Sequence, residues 1–231
     1  MYLLLDIGNT REKAALVKKG KVTALPQLAA DNLATLPIKA VYFASVASQE
    51  KVAVIKQLLG LDHLPWRQVH SDAQAYGVRN SYQQPQTLGV DRWLAMLGAQ
   101  QLFPAEPVLI VDAGTAVTVD WLTDDGQHDG GWIIPGLKMQ QQAVVKNTAK
   151  VFNSELFNGR LEPGGDTVTG LQNGCLAAVL GAVRLAWQQR PCNKLLLTGG
   201  DSKFLKPYLT DLPLTVEPLL IFQGLARYID M

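Results

Sequence analysis

Cysteine and histidine are scarce in this chain, with 2 Cys and 3 His among 231 residues. Cys175 and Cys192 show no metal-ligand spacing, which marks them as reduced, structural residues. His63, His70 and His128 share no spacing suited to a metal site or a nucleophilic triad, and are expected in surface or loop positions. A charge of one sign is missing too. There are 21 Lys and Arg against 20 Asp and Glu, and the basic cluster Lys18-Lys19-Gly20-Lys21 reads as a hairpin tip in solvent. That excludes the electrostatic footprint of a nucleic-acid binder. Long hydrophobic runs are lacking as well. The apolar stretch before Asp6 is short, has no basic flank and no cleavage site, and reads as a strand rather than a signal peptide. The most apolar helix candidate, Cys175 to Trp187, is too short to span a bilayer and carries Arg184. These absences point to a cytoplasmic protein with neither nucleic acid nor membrane among its partners. Its 231 residues, 48% hydrophobic, suffice for one large domain or two modest ones.

What is present is a repeat. Asp6-Ile7-Gly8-Asn9-Thr10 and Asp112-Ala113-Gly114-Thr115-Ala116 each follow an apolar run, Tyr2 to Leu5 and Val108 to Val111. Each places an Asp at a strand end, then Gly and a hydroxyl residue, then more β-prone sequence. Glycine permits the positive φ of a tight turn and lets backbone approach a ligand closely. Two such turns suit a polyphosphate and its metal, and they mark the chain as an ATP-dependent phosphotransferase. The alternative for either turn alone is a hairpin whose Asp and Asn satisfy only local backbone groups.

The rest of the sequence follows the repeat. Strands are expected at Tyr2 to Leu5, Lys13 to Lys18 and Lys21 to Ala24, then a short helix at Asn32 to Leu36 and a strand at Ala40 to Ala44. A helix at Ser48 to Leu59 and a strand at Trp66 to Val69 complete this run. The polar stretch His70 to Thr87 reads as a pocket-shaping loop, and Asp91 to Phe103 as a helix. The pattern restarts with strands at Val108 to Asp112, Ala116 to Leu122 and Gly130 to Ile134, the last two joined at Asp124-Asp125-Gly126. A helix at Leu137 to Lys146, one long helix or a helical pair at Thr167 to Gln188, a strand at Leu195 to Thr198, a helix near Lys203 to Leu209, a strand at Thr215 and a closing helix from Leu219 to Tyr228 finish the chain. Two similar α/β lobes, 1–104 and 105–231, with a cleft between them are the expected architecture.

Chemistry concentrates in a few segments. Asp6 can organise Mg²⁺ through water, since that ion dehydrates reluctantly. Thr198-Gly199-Gly200-Asp201 and Gly130-Gly131-Trp132-Ile133-Ile134-Pro135-Gly136 offer flat or bent backbone walls, or are simply turns. The most distinctive block runs from Tyr82 through Pro85 and Gly89 to Asp91-Arg92-Trp93. Asp91 is either a helix N-terminal residue or the group that orients an acceptor hydroxyl and takes its proton. Arg92 is either solvated or a planar two-point contact for an acidic substrate group.

These motifs, in this order, resemble the type III pantothenate kinases, also called the Bvg accessory factor family. The resemblance rests on D-x-G-N-T-R at Asp6, Y-x-x-P-x-x-L-G-x-D-R-W at Tyr82, D-x-G-T-A-x-T at Asp112, G-G-x-I-x-P-G at Gly130 and T-G-G-D at Thr198, and it covers essentially the whole chain. It implies duplicated ribonuclease-H-like lobes of the acetate and sugar kinase/Hsp70/actin superfamily. The implied reaction is ATP-dependent phosphorylation of pantothenate, the first step of coenzyme A synthesis, in a homodimer. By the same resemblance ATP contacts fall on Asp6, Ile7, Gly8, Asn9, Thr10, Arg11, Glu12, Lys13 and Thr115. Pantothenate contacts fall on Tyr82, Gly89, Val90, Asp91, Arg92 and Thr167, with Asp91 as proton acceptor. A monovalent cation, K⁺ or NH₄⁺, falls on Asp112.

The chain departs from the family pattern at two places. Gly164-Gly165-Asp166-Thr167 stands where members carry a G-R-N-T-like stretch, and Glu12 stands where an apolar residue is common; Glu12 is expected to point outward without disturbing the turn. Two other readings use the same turns: a nucleotide-binding regulatory protein of the actin-like kind, and a kinase for another small hydroxylated acceptor.

Overall fold

The three N-terminal strands form a meander of β1 (Tyr2–Ile7), β2 (Glu12–Lys18) and β3 (Lys21–Leu25) in the computed structural model, which describes residues 1–8, 12–154 and 156–229. β1 and β2 are antiparallel, with Asp6 opposite Lys13 and Ile7 opposite Glu12. Lys19 and Gly20, at φ 50° and 75°, form the two-residue turn into β3, where both central residues need positive φ. The chain continues through α1 (Ala30–Ala34), β4 (Val41–Ser45), α2 (Gln49–Leu58) and β5 (Trp66–Gln68). β4 lies parallel to β1 and β5 parallel to β4, giving the order β3-β2-β1-β4-β5. Parallel neighbours need a crossover, which α1 and α2 supply. The stretch expected as a loop after β5 holds a miniature hairpin, β6 (Gln74–Ala75) and β7 (Val78–Arg79), turning on Tyr76 and Gly77 at φ 50° and 83°. Strands of two residues carry no periodicity, so only their turn chemistry could have revealed them. α3 (Val90–Leu102) follows.

The second half repeats the plan with β8 (Val108–Ala113), β9 (Ala116–Leu122), β10 (His128–Pro135), α4 (Leu137–Asn147), α5 (Thr167–Gln189), β11 (Lys194–Thr198), α6 (Ser202–Leu205), β12 (Leu214–Val216) and α7 (Leu220–Ala226). Its sheet order, β10-β9-β8-β11-β12, is the first order again, strand for strand. β4, β8 and β11 are almost continuously buried, as expected of strands covered on both faces.

Two units emerge, and their borders are not a single cut at residues 104 and 105. Unit 1 holds Met1–Ala105, the hairpin tip Asp125–His128 and the closing segment from Leu219 onward; unit 2 holds Glu106–Asp124 and Asp129–Pro218. The closing segment sits in unit 1 because α7 packs on α3. Gly98 and Gly224 meet at that crossing: a Cβ on Gly98 would run into the Leu220 carbonyl, and one on Gly224 into the Leu94 carbonyl. Trp93 Nε1 donates to Tyr228 Oη at 3.0 Å, and Tyr42 Oη donates to the Ile229 carbonyl at 3.2 Å.

In unit 2 the stripe Leu176, Val179, Leu180, Val183 and Ala186 of α5 is buried in one core with Val111, Val117 and Val119. Trp121 Nε1 donates to the Ala186 carbonyl at 3.2 Å. α5 runs 23 residues, longer than the apolar stretch read from sequence, and by length and composition alone could cross a membrane. Length therefore does not exclude it; one stripe of its apolar residues is packed in this core, while others, such as Leu185, are exposed. Cys175 is buried in the same cluster, and burial pushes the Cys192 thiol up to about 11, as suits inert, structural cysteines.

Candidate functional site

Asp6 and Asp112 occupy the same place in their sheets. Asp6 lies beside Ala44 of β4, and Asp112 beside Thr198 of β11, each on the central strand where antiparallel pairing meets parallel pairing. Around the first turn, Asn9, Thr10 and Arg11 lie outside the described residues. Asp6 is half-buried at the end of β1, and Lys13 Nζ stands 3.9 Å from its Oδ2. One carboxylate at a strand end suits an ion that keeps most of its waters and meets phosphate oxygens. Ile7 is buried and serves the core, so only its backbone can face a ligand.

Glu12 is exposed, yet it does not merely point outward. Its Oε1 pairs with Lys51 Nζ at 2.8 Å, and the same ammonium donates to the Gly8 carbonyl at 2.7 Å. The hydrogen bond from Lys51 holds the Glu12 carboxyl below its usual range. The charged Glu12 is thus tied through α2 to the turn itself. Sequence reading passed over Lys51, although a cation in the first turn of a helix opposes the helix dipole and so signals a partner.

The second turn is enclosed by two other segments. Gly114 N–H donates to the Ala116 carbonyl at 3.0 Å, closing the turn, and Gly136 N–H donates to the Thr115 carbonyl at 3.0 Å. A Cβ on Gly136 would collide with the Gly114 and Thr115 carbonyls. On the other side, Asp201 N–H donates to the Ala113 carbonyl at 2.9 Å. Gly199 has φ +90°, and a Cβ there would strike the Ala113 carbonyl and the Asp112 carboxylate. Gly136 and Gly199, one from each glycine-rich motif, thus allow close approach to Asp112 to Thr115. Thr115 is exposed and Asp112 half-buried.

The block from Tyr82 to Trp93 is built around the start of α3. Gly89 precedes the helix, and a Cβ on it would sit 2.6 Å from Asp91 Oδ1; the missing side chain is what lets the carboxylate fold back there. Asp91 Oδ1 accepts the Arg92 N–H at 2.8 Å. Val90 is buried, so it acts through its backbone or by packing. Arg92 is not solvated: it is 4% exposed, its Nη1 donates to Tyr82 Oη at 2.9 Å, and its guanidinium carbon lies 5.7 Å from the Tyr82 ring centre. Tyr82 lies in irregular chain, anchored by its N–H to Asn80 Oδ1 at 3.0 Å.

His128, placed by sequence on a surface or loop, is 0% exposed and lies against this block. Its Nδ1 is 3.1 Å from Ser81 Oγ, and its ring stacks on Tyr82 with centres 6.1 Å apart and planes 17° apart. Nothing in the local sequence signals this, because the contact spans 47 residues.

Thr167 is the exposed first residue of α5. The departure before it has a structural reason: Asp166 is the N-cap and forms a reciprocal capping box with Thr169. The bond from the Thr169 N–H holds the Asp166 carboxyl below its usual range. The irregular chain ahead of it is pinned to α5 by buried amides. Gln172 Nε2 donates to the Leu156 carbonyl at 2.9 Å, and Asn173 Nδ2 to the Glu162 carbonyl at 2.8 Å. Among the described residues, no three His, Cys, Asp or Glu side chains group as a metal site.

Comparison with known proteins gives this geometry a context. The sequence profile of type III pantothenate kinase matches residues 2–189. A type III pantothenate kinase of Colwellia psychrerythraea is 37% identical over 253 residues, covering 99% of this chain and 100% of that one. A solved structure of a conserved candidate Baf family transcriptional activator from Campylobacter jejuni superposes with TM-score 0.61 at 24% identity, covering 97% of this chain and 96% of that one. A candidate 2-dehydro-3-deoxygalactonokinase from Sinorhizobium meliloti gives TM-score 0.57 at 14% identity, covering 98% and 97%. At such identities the two structures speak to fold alone. The two sheets of identical order form a duplicated α/β fold, and it is this fold that the two solved structures share.

Proposed function

This chain belongs to the type III pantothenate kinase family, and from that premise we propose that Asp91 takes the proton of the pantothenate hydroxyl as it attacks the terminal phosphate of ATP. The reaction itself, ATP-dependent phosphorylation of pantothenate at the head of coenzyme A biosynthesis, follows from family membership. The single observation that carries the assignment of Asp91 is the block in which Gly89, Asp91, Arg92 and Tyr82 are assembled around the N-terminus of α3. Phosphoryl transfer asks the protein mostly for positioning and charge, and in a loose transition state the acceptor proton leaves late, so a positioned carboxylate suffices.

The other roles are assigned on the same reading. Arg92 and Tyr82 receive the pantothenate carboxylate and polar groups, with Gly89, Val90 and Thr167 lining the acceptor. The first turn, from Asp6 to Lys13, and Thr115 bind ATP, with Mg²⁺ reached from Asp6 through water. Asp112 takes a monovalent cation, K⁺ or NH₄⁺, for which one half-buried carboxylate under the Gly199 backbone is a fitting donor. The working form is a homodimer in the cytoplasm.

An acceptor panel tests the assignment of the block. Purified protein with ATP, Mg²⁺ and K⁺ is expected to release ADP and phosphopantothenate with pantothenate, and little product with sugars or hydroxy acids lacking its carboxylate and amide. Preference for a sugar would overturn the acceptor assignment. A second expectation concerns the enclosure of the second turn. Gly199→Ala meets both a left-handed φ and a collision with the Asp112 carboxylate. The strain, on the order of 1–3 kcal/mol, should raise the KM for ATP about tenfold while leaving the KM for pantothenate near wild type. Steady-state kinetics with each substrate varied in turn checks this.

A further inference from the structure

We infer that His128 is a positioning residue for the acceptor: through Ser81 and the face of Tyr82 it fixes the orientation of the Arg92 guanidinium. This rests on the reading of Tyr82 and Arg92 as pantothenate contacts.

The geometry runs in one chain of contacts. Tyr82 projects from a segment with no regular backbone, so its ring is not oriented by a helix or strand. One ring face carries the Arg92 guanidinium, with Nη1 donating to the phenol oxygen at 2.9 Å. The imidazole of His128 stacks on the ring, its plane within 17° of parallel. The Nδ1 bond to Ser81 Oγ, at 3.1 Å, ties the same imidazole to the residue just before Tyr82. The Tyr82 ring and the side chain of its neighbour Ser81 are therefore both held by one imidazole.

That ring is itself held rigidly. His128 ends the tip Asp125–His128, which is built into unit 1 although the strands it joins, β9 and β10, run in unit 2. Arg79 grips the tip: Nη2 pairs with Asp125 Oδ2 at 2.6 Å, Nε donates to Gln127 Oε1 at 3.1 Å, and the Arg79 N–H donates to the Gly126 carbonyl at 2.9 Å. Gly126, at φ +78°, packs so closely on the Gly77 carbonyl that no side chain fits. A fully buried imidazole carries ring nitrogens that must be hydrogen-bonded, a demand that a merely space-filling residue would not make. What the arrangement supplies is a rigid backstop for the aromatic ring that carries Arg92. Two-point recognition of a carboxylate depends on guanidinium orientation, so the effect belongs to acceptor binding and not to ATP.

The test uses the full-length kinase with pantothenate and ATP. His128→Ala should raise the KM for pantothenate about tenfold or more, with the KM for ATP unchanged, since both the stack and the hydrogen bond are lost. His128→Phe keeps a flat ring and should recover part of that loss. Ser81→Ala, at an exposed residue whose hydroxyl makes this part-buried bond, removes the hydrogen bond alone and should raise the same KM about fivefold with little change in melting temperature. Titration of active sites with a slow ATP analogue separates loss of folded enzyme from loss of affinity. If the three variants change only melting temperature or active fraction, with both KM values at wild type, His128 is structural and the inference falls. Arg92→Ala distinguishes that from failure of the underlying reading. If it too leaves the KM for pantothenate unchanged, the block does not bind the acceptor at all; if it raises that KM while the His128 and Ser81 variants do not, only the role of His128 is overturned.

Discussion

Asp91→Asn is expected to lower kcat by about 10²- to 10⁴-fold, the usual worth of a positioned general base, with KM values for ATP and pantothenate and the melting temperature close to wild type. The expectation is sharp because the amide can keep what the carboxylate does structurally. Asp91 Oδ1 accepts the Arg92 N–H at 2.8 Å, and an asparagine carbonyl oxygen can accept the same bond. The side chain also folds over Gly89, where an isosteric amide fits as the carboxylate does. What the amide cannot do is take a proton. Single-turnover measurement with saturating substrates isolates the chemical step, and wild-type turnover in this variant would remove Asp91 from the role of proton acceptor.

Gly224→Val should cost the most stability of any single change considered for this chain. Gly224 and Gly98 face across the α3–α7 crossing, where a Cβ on Gly224 would enter the Leu94 carbonyl and contact its carbonyl carbon. A collision with backbone cannot be relieved by a rotamer change, so the helices must part. Replacing a helical glycine gains up to ~1 kcal/mol in propensity, least for a β-branched residue, whereas overpacking of this kind costs roughly 3 kcal/mol or more. The clash therefore wins. A net loss of about 2–3 kcal/mol corresponds to a fall of roughly 5–10 °C in melting temperature for a chain of this size. Because Asp91 and Arg92 lie in the first turn of α3, the variant should also lose activity beyond its loss of folded protein. A melting temperature at the wild-type value would show that the two helices can separate at no cost.

Much of this protein is legible in its sequence. The apolar runs ending in Asp6 and Asp112, with glycine and hydroxyl residues after them, announce two strand-turn-strand units, and the sheets repeat one strand order as that repeat requires. The block ending at Asp91 and Arg92 is legible too, because its residues are neighbours in the chain. The tiny hairpin at Gln74–Arg79 was not legible, since two-residue strands leave no periodic trace. The extent of α5 is legible as well, Thr167 to Gln188 expected against Thr167–Gln189, although its first turns are polar. Lys51 and Glu12 met a different obstacle. Each looks like an ordinary surface charge until their 2.8 Å contact places both beside Gly8.

The division between the two levels has a physical cause. Local chemistry is written in adjacent residues: strand alternation, positive-φ glycines, the Asp166 cap and the Gly89-to-Asp91 approach all act within a few positions of one another. The sequence by itself therefore determined the repeated strands that end in Asp6 and Asp112, the elements between them and the proximity of Gly89, Asp91 and Arg92. Contacts across long stretches of chain are decided only when the sheets and helices pack. Tertiary structure put Gly136 and Gly199 against the second turn, drew the segment from Leu219 onto α3, and set His128 behind Tyr82. No sequence spacing encodes those meetings, because they follow from which backbone surfaces can approach closely enough to bury.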